Sequence, residues 1–96
     1  MNYIKNKQLY EAARKTWGVN MQIILAIEEL AELQKALTKY LRYRTDTQIT
    51  DIAEEFADVE IMMEQLELIF NFSNSITNNK RDKLKRLEKI LFGDNT

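Results

Sequence analysis

Apolar residues recur along most of this chain in alternating steps of three and four, the spacing that keeps them on one side of an α-helix. They fall at Ile23, Ala26, Leu30, Leu33, Leu37 and Tyr40, and again at Ile49, Ile52, Phe56, Val59, Met63, Leu66 and Phe70. Two long amphipathic helices follow from these seams. The first begins behind an N-cap at Asn20 and reaches roughly residues 41–44. The polar stretch 44–48 is the connection. Thr47, Thr50 or Asp51 is able to cap the second, which stops near Asn71. A shorter helix over about residues 2–15 precedes them, with Ile4, Leu9, Tyr10, Ala13 and Trp17 as its apolar members and Gly18 as an αL terminator. Residues 71–79 are rich in Asn and Ser, whose side chains compete for backbone hydrogen bonds, and predict the clearest loop in the chain. A basic last helix over about residues 80–91 carries Leu84, Leu87 and Leu91 on one stripe, closed by Gly93 and the polar tail.

Composition agrees with helices and little else. The 96 residues contain no proline and two glycines, too few for the turns of a sheet or barrel. The expected fold is an all-α, four-helix bundle with an antiparallel central pair, one domain over residues 1–96, completed by self-association because so small a unit buries little surface. Cysteine and histidine are absent, which excludes thiolate chemistry and removes the usual general base. A net charge of −1 gives no electrostatic footprint for a nucleic-acid polymer. No signal-length or membrane-length apolar run occurs, so no membrane role is expected and the cytoplasm is the default compartment.

The candidate chemistry lies in two acidic clusters, Glu28-Glu29-Leu30-Ala31-Glu32 and Asp51-Ile52-Ala53-Glu54-Glu55-Phe56-Ala57-Asp58. Glu29 and Glu32, like Glu55 and Asp58, stand three apart and project from one helical face. At about 100° per residue, Glu29 and Glu32 lie about 80° and 140° from the middle of their apolar stripe, and Glu55 and Asp58 about 60° and 120° from theirs, in the same rotational sense. Antiparallel packing therefore brings all four to one groove. Their levels along the helices differ by roughly 10 Å at 1.5 Å per residue, and match only if the first long helix ends near Leu41 and the following residues climb back in extended form. Four carboxylates together repel unless a cation sits among them, and Mg²⁺ or Mn²⁺ suits an all-oxygen donor set. Glu60, Glu64 and Glu67 fall on the opposite flank and read as solvated acids.

The motif EExxE, 22 residues, then ExxD resembles the signature of the MazG-like nucleoside triphosphate pyrophosphohydrolases of the all-α NTP pyrophosphatase superfamily. Trp17-Gly18, Gln22, the words around both acidic clusters and Lys83-Leu84-Lys85-Arg86-Leu87 look like the short phage and Firmicutes members. The resemblance spans residues 17–91. It implies Mg²⁺-dependent cleavage of a (d)NTP between the α and β phosphates, giving a nucleoside monophosphate and pyrophosphate, in a homodimer or homotetramer that polices the nucleotide pool. By motif position Glu29, Glu32, Glu55 and Asp58 become metal ligands, with Glu28 as a further acid that holds a second ion or orients the attacking water.

A triphosphate also calls for cations. Lys35 and Lys39 lie one to two turns beyond the first acidic cluster, although Glu32 to Lys35 is equally an ordinary surface pair. Lys83 and Arg86 match the family's basic positions in the last helix, or else belong to a solvated face. Trp17 and Gln22 suggest a stacked base with an amide reading its edge, against the plainer reading of Trp17 as core. Asn71, Asn74, Asn78 and Asn79 are able to touch base or ribose, and Met62 and Met63 read as core. The rival to the enzyme is a non-enzymatic helical interaction module of coiled-coil type, which keeps the seams and places no demand on the acids.

Overall fold

The computed structural model describes residues 3–93. Four α-helices follow one another, α1 (Tyr3–Trp17), α2 (Val19–Tyr43), α3 (Asp46–Phe70) and α4 (Ser73–Phe92), with no strand among the described residues. The expected residue 2, at the start of the first helix, and the tail beyond Gly93 lie outside them.

Breaks between helices are short, and each has a backbone device. Gly18 separates α1 from α2 at φ 85°, ψ 162°, a conformation that glycine reaches without a Cβ penalty. It is not the αL geometry expected there. Gly18 also occupies the N-cap position of α2, so Asn20 lies inside the helix and caps nothing. Arg44 and Asn71 adopt αL conformations at φ 51° and 52°. Their N–H groups donate to Tyr40 O at 2.8 Å and Glu67 O at 2.9 Å, closing the last turns of α2 and α3.

Only Arg44 and Thr45 join α2 to α3. Thr45, rather than Thr47, Thr50 or Asp51, takes the N-cap position, its hydroxyl bonded to the Gln48 side chain. Two 25-residue helices joined by two residues and packed along their length run antiparallel. The expected loop over 71–79 is largely helix, with Asn71 and Phe72 alone separating α3 from α4. Ser, Asn and Thr cost a helix only up to about 0.7 kcal/mol each, and the Thr77 hydroxyl here donates to Ser73 O at 3.1 Å within the ladder.

The packed seam differs in azimuth from the apolar stripe. On α2 the inward residues are Gln22, Ala26 and Ala36, with Glu29, Leu33 and Tyr40 half-buried between them. On α3 they are Val59, Met62 and Gln65, with Ile52, Glu55, Leu66 and Ile69 half-buried. Leu30, Leu37, Ile49, Phe56 and Phe70, expected in the seam, are exposed. At about 100° per residue, α2 is turned by roughly 50° and α3 by roughly 70° from the expected orientation. The turn moves Glu29 and Glu55 onto the packed face, and small Ala26 and Ala36 let the backbones approach there.

Helix α1 lies on the flank of the hairpin that carries Asp58, across the start of α2 and the end of α3. The buried Gln22 amide donates to Ala13 O at 3.5 Å, and the Tyr10 hydroxyl donates to Glu64 at 2.5 Å. Glu64 is therefore a partner in helix packing and not a merely solvated acid. Burial and the neighbouring carboxylate together push the Tyr10 phenol up to about 12. Helix α4 contributes no buried residue, and its Leu84, Leu87 and Leu91 stripe faces solvent. The chain is correspondingly extended, with a radius of gyration of 17.0 Å where a compact domain of this length has about 12 Å.

Candidate metal centre

The two acidic clusters meet because the hairpin is tighter than its sequence suggests. With α3 starting at Asp46, its acids stand more turns from the connection than expected, and the level difference shrinks to side-chain reach without any early end to α2. Carboxylate oxygens of Glu29, Glu55 and Asp58 lie within 4.8 Å of one another. Glu29 and Glu55 are half-buried at the seam and Asp58 is exposed on its flank.

Electrostatics record how closely these groups are held. Loss of hydration lifts the Glu29 carboxyl above its ordinary value, helped by the charges of Asp58, Glu55 and Glu32 and by a hydrogen bond to Asp58. Loss of hydration also lifts Glu55, with the charges of Asp58, Glu32, Glu54 and Asp51 adding to it. Glu32 thus acts on both seam acids, although it stands outside the tight trio. Glu28 is exposed further round α2.

A shallow cleft of about 120 Å³ opens beside the trio, lined by Glu32, Lys35, Ala36 and Lys39 of α2 and Asp51, Glu54 and Glu55 of α3. The structure therefore brings Lys35 and Lys39 to the acids. It places Lys83 and Arg86 elsewhere, around a separate cleft of about 220 Å³ with Asn79 and Asp82. Trp17 is 61% exposed at the end of α1, not in the core, and Gln22 is 1% exposed with its amide spent on Ala13. Met62 is buried and Met63 half-buried. Asp51 and Glu54, not singled out from the sequence, join the cleft because each stands four residues before a trio member on the same helical face.

The donor set fits a hard divalent cation. All three groups are oxygen acceptors when ionised, they come from two helices held in fixed register, and their mutual repulsion is what a positive ion relieves. No protein-family model, curated protein or solved structure matches this chain. No helix among the described residues is long and apolar enough to cross a membrane.

Proposed function

We propose that this protein is a Mg²⁺-dependent nucleoside triphosphate pyrophosphohydrolase of MazG-like type, acting as a homodimer or homotetramer on a (d)NTP to give the monophosphate and pyrophosphate. The observation that carries the reading is the convergence of Glu29, Glu55 and Asp58, three motif acids from two helices, within 4.8 Å. The resemblance of EExxE and ExxD to that family supplies the reaction class.

Glu29, Glu55 and Asp58 would hold Mg²⁺, or Mn²⁺ in its place, with Glu32 completing the donor set from the flank. Such an ion, when bound, neutralises charge on phosphate oxygens and makes an attacking water more acidic. Glu28, exposed further round α2, would be the further acid that holds a second ion or orients the attacking water. Lys35 and Lys39, on the rim of the cleft, bind the phosphates and hold the chain of anhydrides in line. The hairpin fixes the acids on rigid elements, and this preorganises the site without any histidine.

The test is pyrophosphate release from each common dNTP and NTP, with Mg²⁺ and with EDTA, by the parent and by Glu32→Gln and Asp58→Asn. Metal-dependent release lost in both variants supports the reading. Absence of release from every nucleotide by folded protein overturns the enzyme reading for those substrates and leaves the helical interaction module or a noncanonical nucleotide.

A further inference from the structure

Two clefts open between α1 and the end of α3, beyond the acidic trio. The larger holds about 440 Å³ and the smaller about 230 Å³. Lys7, Tyr10 and Leu68 bound both, so the two adjoin and form one trough. Neither shares a residue with the cleft beside Glu55. Gln65, on the wall of the smaller cleft, stands about 15 Å beyond Glu55 along α3 at 1.5 Å per residue.

A polar group on this wall lacks a partner. Gln65 is 8% exposed, and among the described residues its Oε1 accepts no hydrogen bond. Buried polar groups are nearly always paired, and an exception points to a partner from outside the chain. The last torsion of a glutamine side chain is broad, so the carboxamide turns its oxygen to the cleft at little cost. Lys7 and Arg14, two turns apart on one face of α1, border the same cleft with no ion-pair partner among the described residues, although Glu11 stands between them. The remaining wall is apolar. Leu68 and Ile69 are half-buried there, and the Tyr10 ring is fixed by the bond of its hydroxyl to Glu64. An ordered water would satisfy Oε1 but accounts for neither the volume nor the two cations.

The geometry points to a nucleoside monophosphate as the ligand of this trough, bound apart from the metal centre. The base lies against Leu68, Ile69 and the Tyr10 ring and donates an N–H to Gln65 Oε1. Its phosphate meets Lys7 and Arg14. Glu67, on the larger cleft, accepts from the ribose hydroxyls. An inorganic anion or a free amino acid leaves most of the trough empty, since sites for organic ligands run to about 300–1,000 Å³. No step of the proposed hydrolysis passes through the trough, and its occupancy needs no metal.

Titration calorimetry of the intact chain with the common nucleoside monophosphates in EDTA tests it. Without metal the acidic trio repels a phosphate, so the measured binding excludes that centre. At least one monophosphate is expected to bind, and ribose 5-phosphate and inorganic phosphate at least ~10-fold more weakly, because they lack the base that meets Gln65. Gln65→Met and Arg14→Ala should each weaken the monophosphate roughly 10-fold. Gln65→Met removes the unpaired acceptor, and a Tm no lower than the parent's separates its loss of binding from loss of fold; Arg14→Ala changes only an exposed side chain. Failure of every monophosphate to bind overturns the inference. So does ribose 5-phosphate binding as tightly as the nucleotide, and so does nucleotide binding that either substitution leaves unchanged.

Discussion

Glu29 of α2 faces Glu55 of α3 across the helical seam, and the charge of Glu55 is among the causes that lift the Glu29 carboxyl. A seam position is where an apolar side chain packs best, so two acids there weigh against stability. A carboxylate whose folded-state value is raised favours the protonated form. Its contribution to stability is complete below the ordinary value of 4.5 and is lost as pH rises through the raised value. The metal-free protein should therefore lose thermal stability through this cluster as pH rises above the ordinary carboxylate value of 4.5, and Mg²⁺ should restore it. Melting curves across pH in EDTA and in Mg²⁺ check both. Glu29→Gln should raise the metal-free Tm at pH 7 and abolish the Mg²⁺ response. A Mg²⁺ response that persists in Glu29→Gln would show that the seam acid is not a ligand.

The Tyr10 to Glu64 hydrogen bond gives a second pH signature. The phenol is raised from 10.0 to about 12, so the folded state holds its proton where the unfolded chain releases it. The stabilisation is complete below pH 10 and disappears between 10 and 12. In an ultraviolet titration of the phenolates, one of the four tyrosines should ionise about two units after a free phenol. Tyr10→Phe should delete that late step and loosen α1 by about 1 kcal/mol, and a titration unchanged by the substitution refutes the assignment.

Spacing alone exposed the acidic centre. Glu29, Glu32, Glu55 and Asp58 stand out because pairs three apart must share a face, whereas a run of acids has no internal mark that Asp51 and Glu54 also turn toward the cleft. The seam azimuth was legible only in part. The apolar arc of α2 contains both the inward positions Ala26 and Leu33 and the outward Leu30 and Leu37, so a periodicity centred on large residues points between the two. Small Ala36, buried at 7% exposure, carries little weight in such a pattern although close approach of the backbones depends on it. The Asn and Ser of 71–79 misled for a different reason. Their preference against helix is weak, and in the exposed first turns of α4 nothing competes with the backbone ladder.

Gln65 of α3 is nine-tenths buried; among the described residues its Oε1 has no hydrogen-bond partner, and its amide reaches the Met62 sulfur at 3.4 Å. A buried acceptor left unpaired costs about 1–3 kcal/mol relative to a paired one. Methionine has nearly the same shape and nothing to satisfy. Gln65→Met should therefore stabilise the fold by roughly 1 kcal/mol in chemical denaturation. A loss of stability would mean that the carboxamide has a partner in solution.

Two groups of cations compete for the role of phosphate ligand, and their positions separate them. Lys35 and Lys39 share the cleft of Glu32 and Glu55, whereas Lys83 and Arg86 surround their own cleft on the exposed α4. A charge-assisted hydrogen bond to phosphate contributes about 1.5–3 kcal/mol, which is roughly 10- to 100-fold in kcat/KM if it is made in the transition state. Lys35→Ala and Lys39→Ala should each lose that much in the pyrophosphate-release assay. Lys83→Ala and Arg86→Ala, tested singly, should stay within a few-fold of the parent. A large loss in either α4 variant, together with unchanged Mg²⁺ binding, would show that α4 delivers its cations to a site formed by the hairpin, its own or a second copy's, and that the lysines of the cleft alone do not bind the triphosphate.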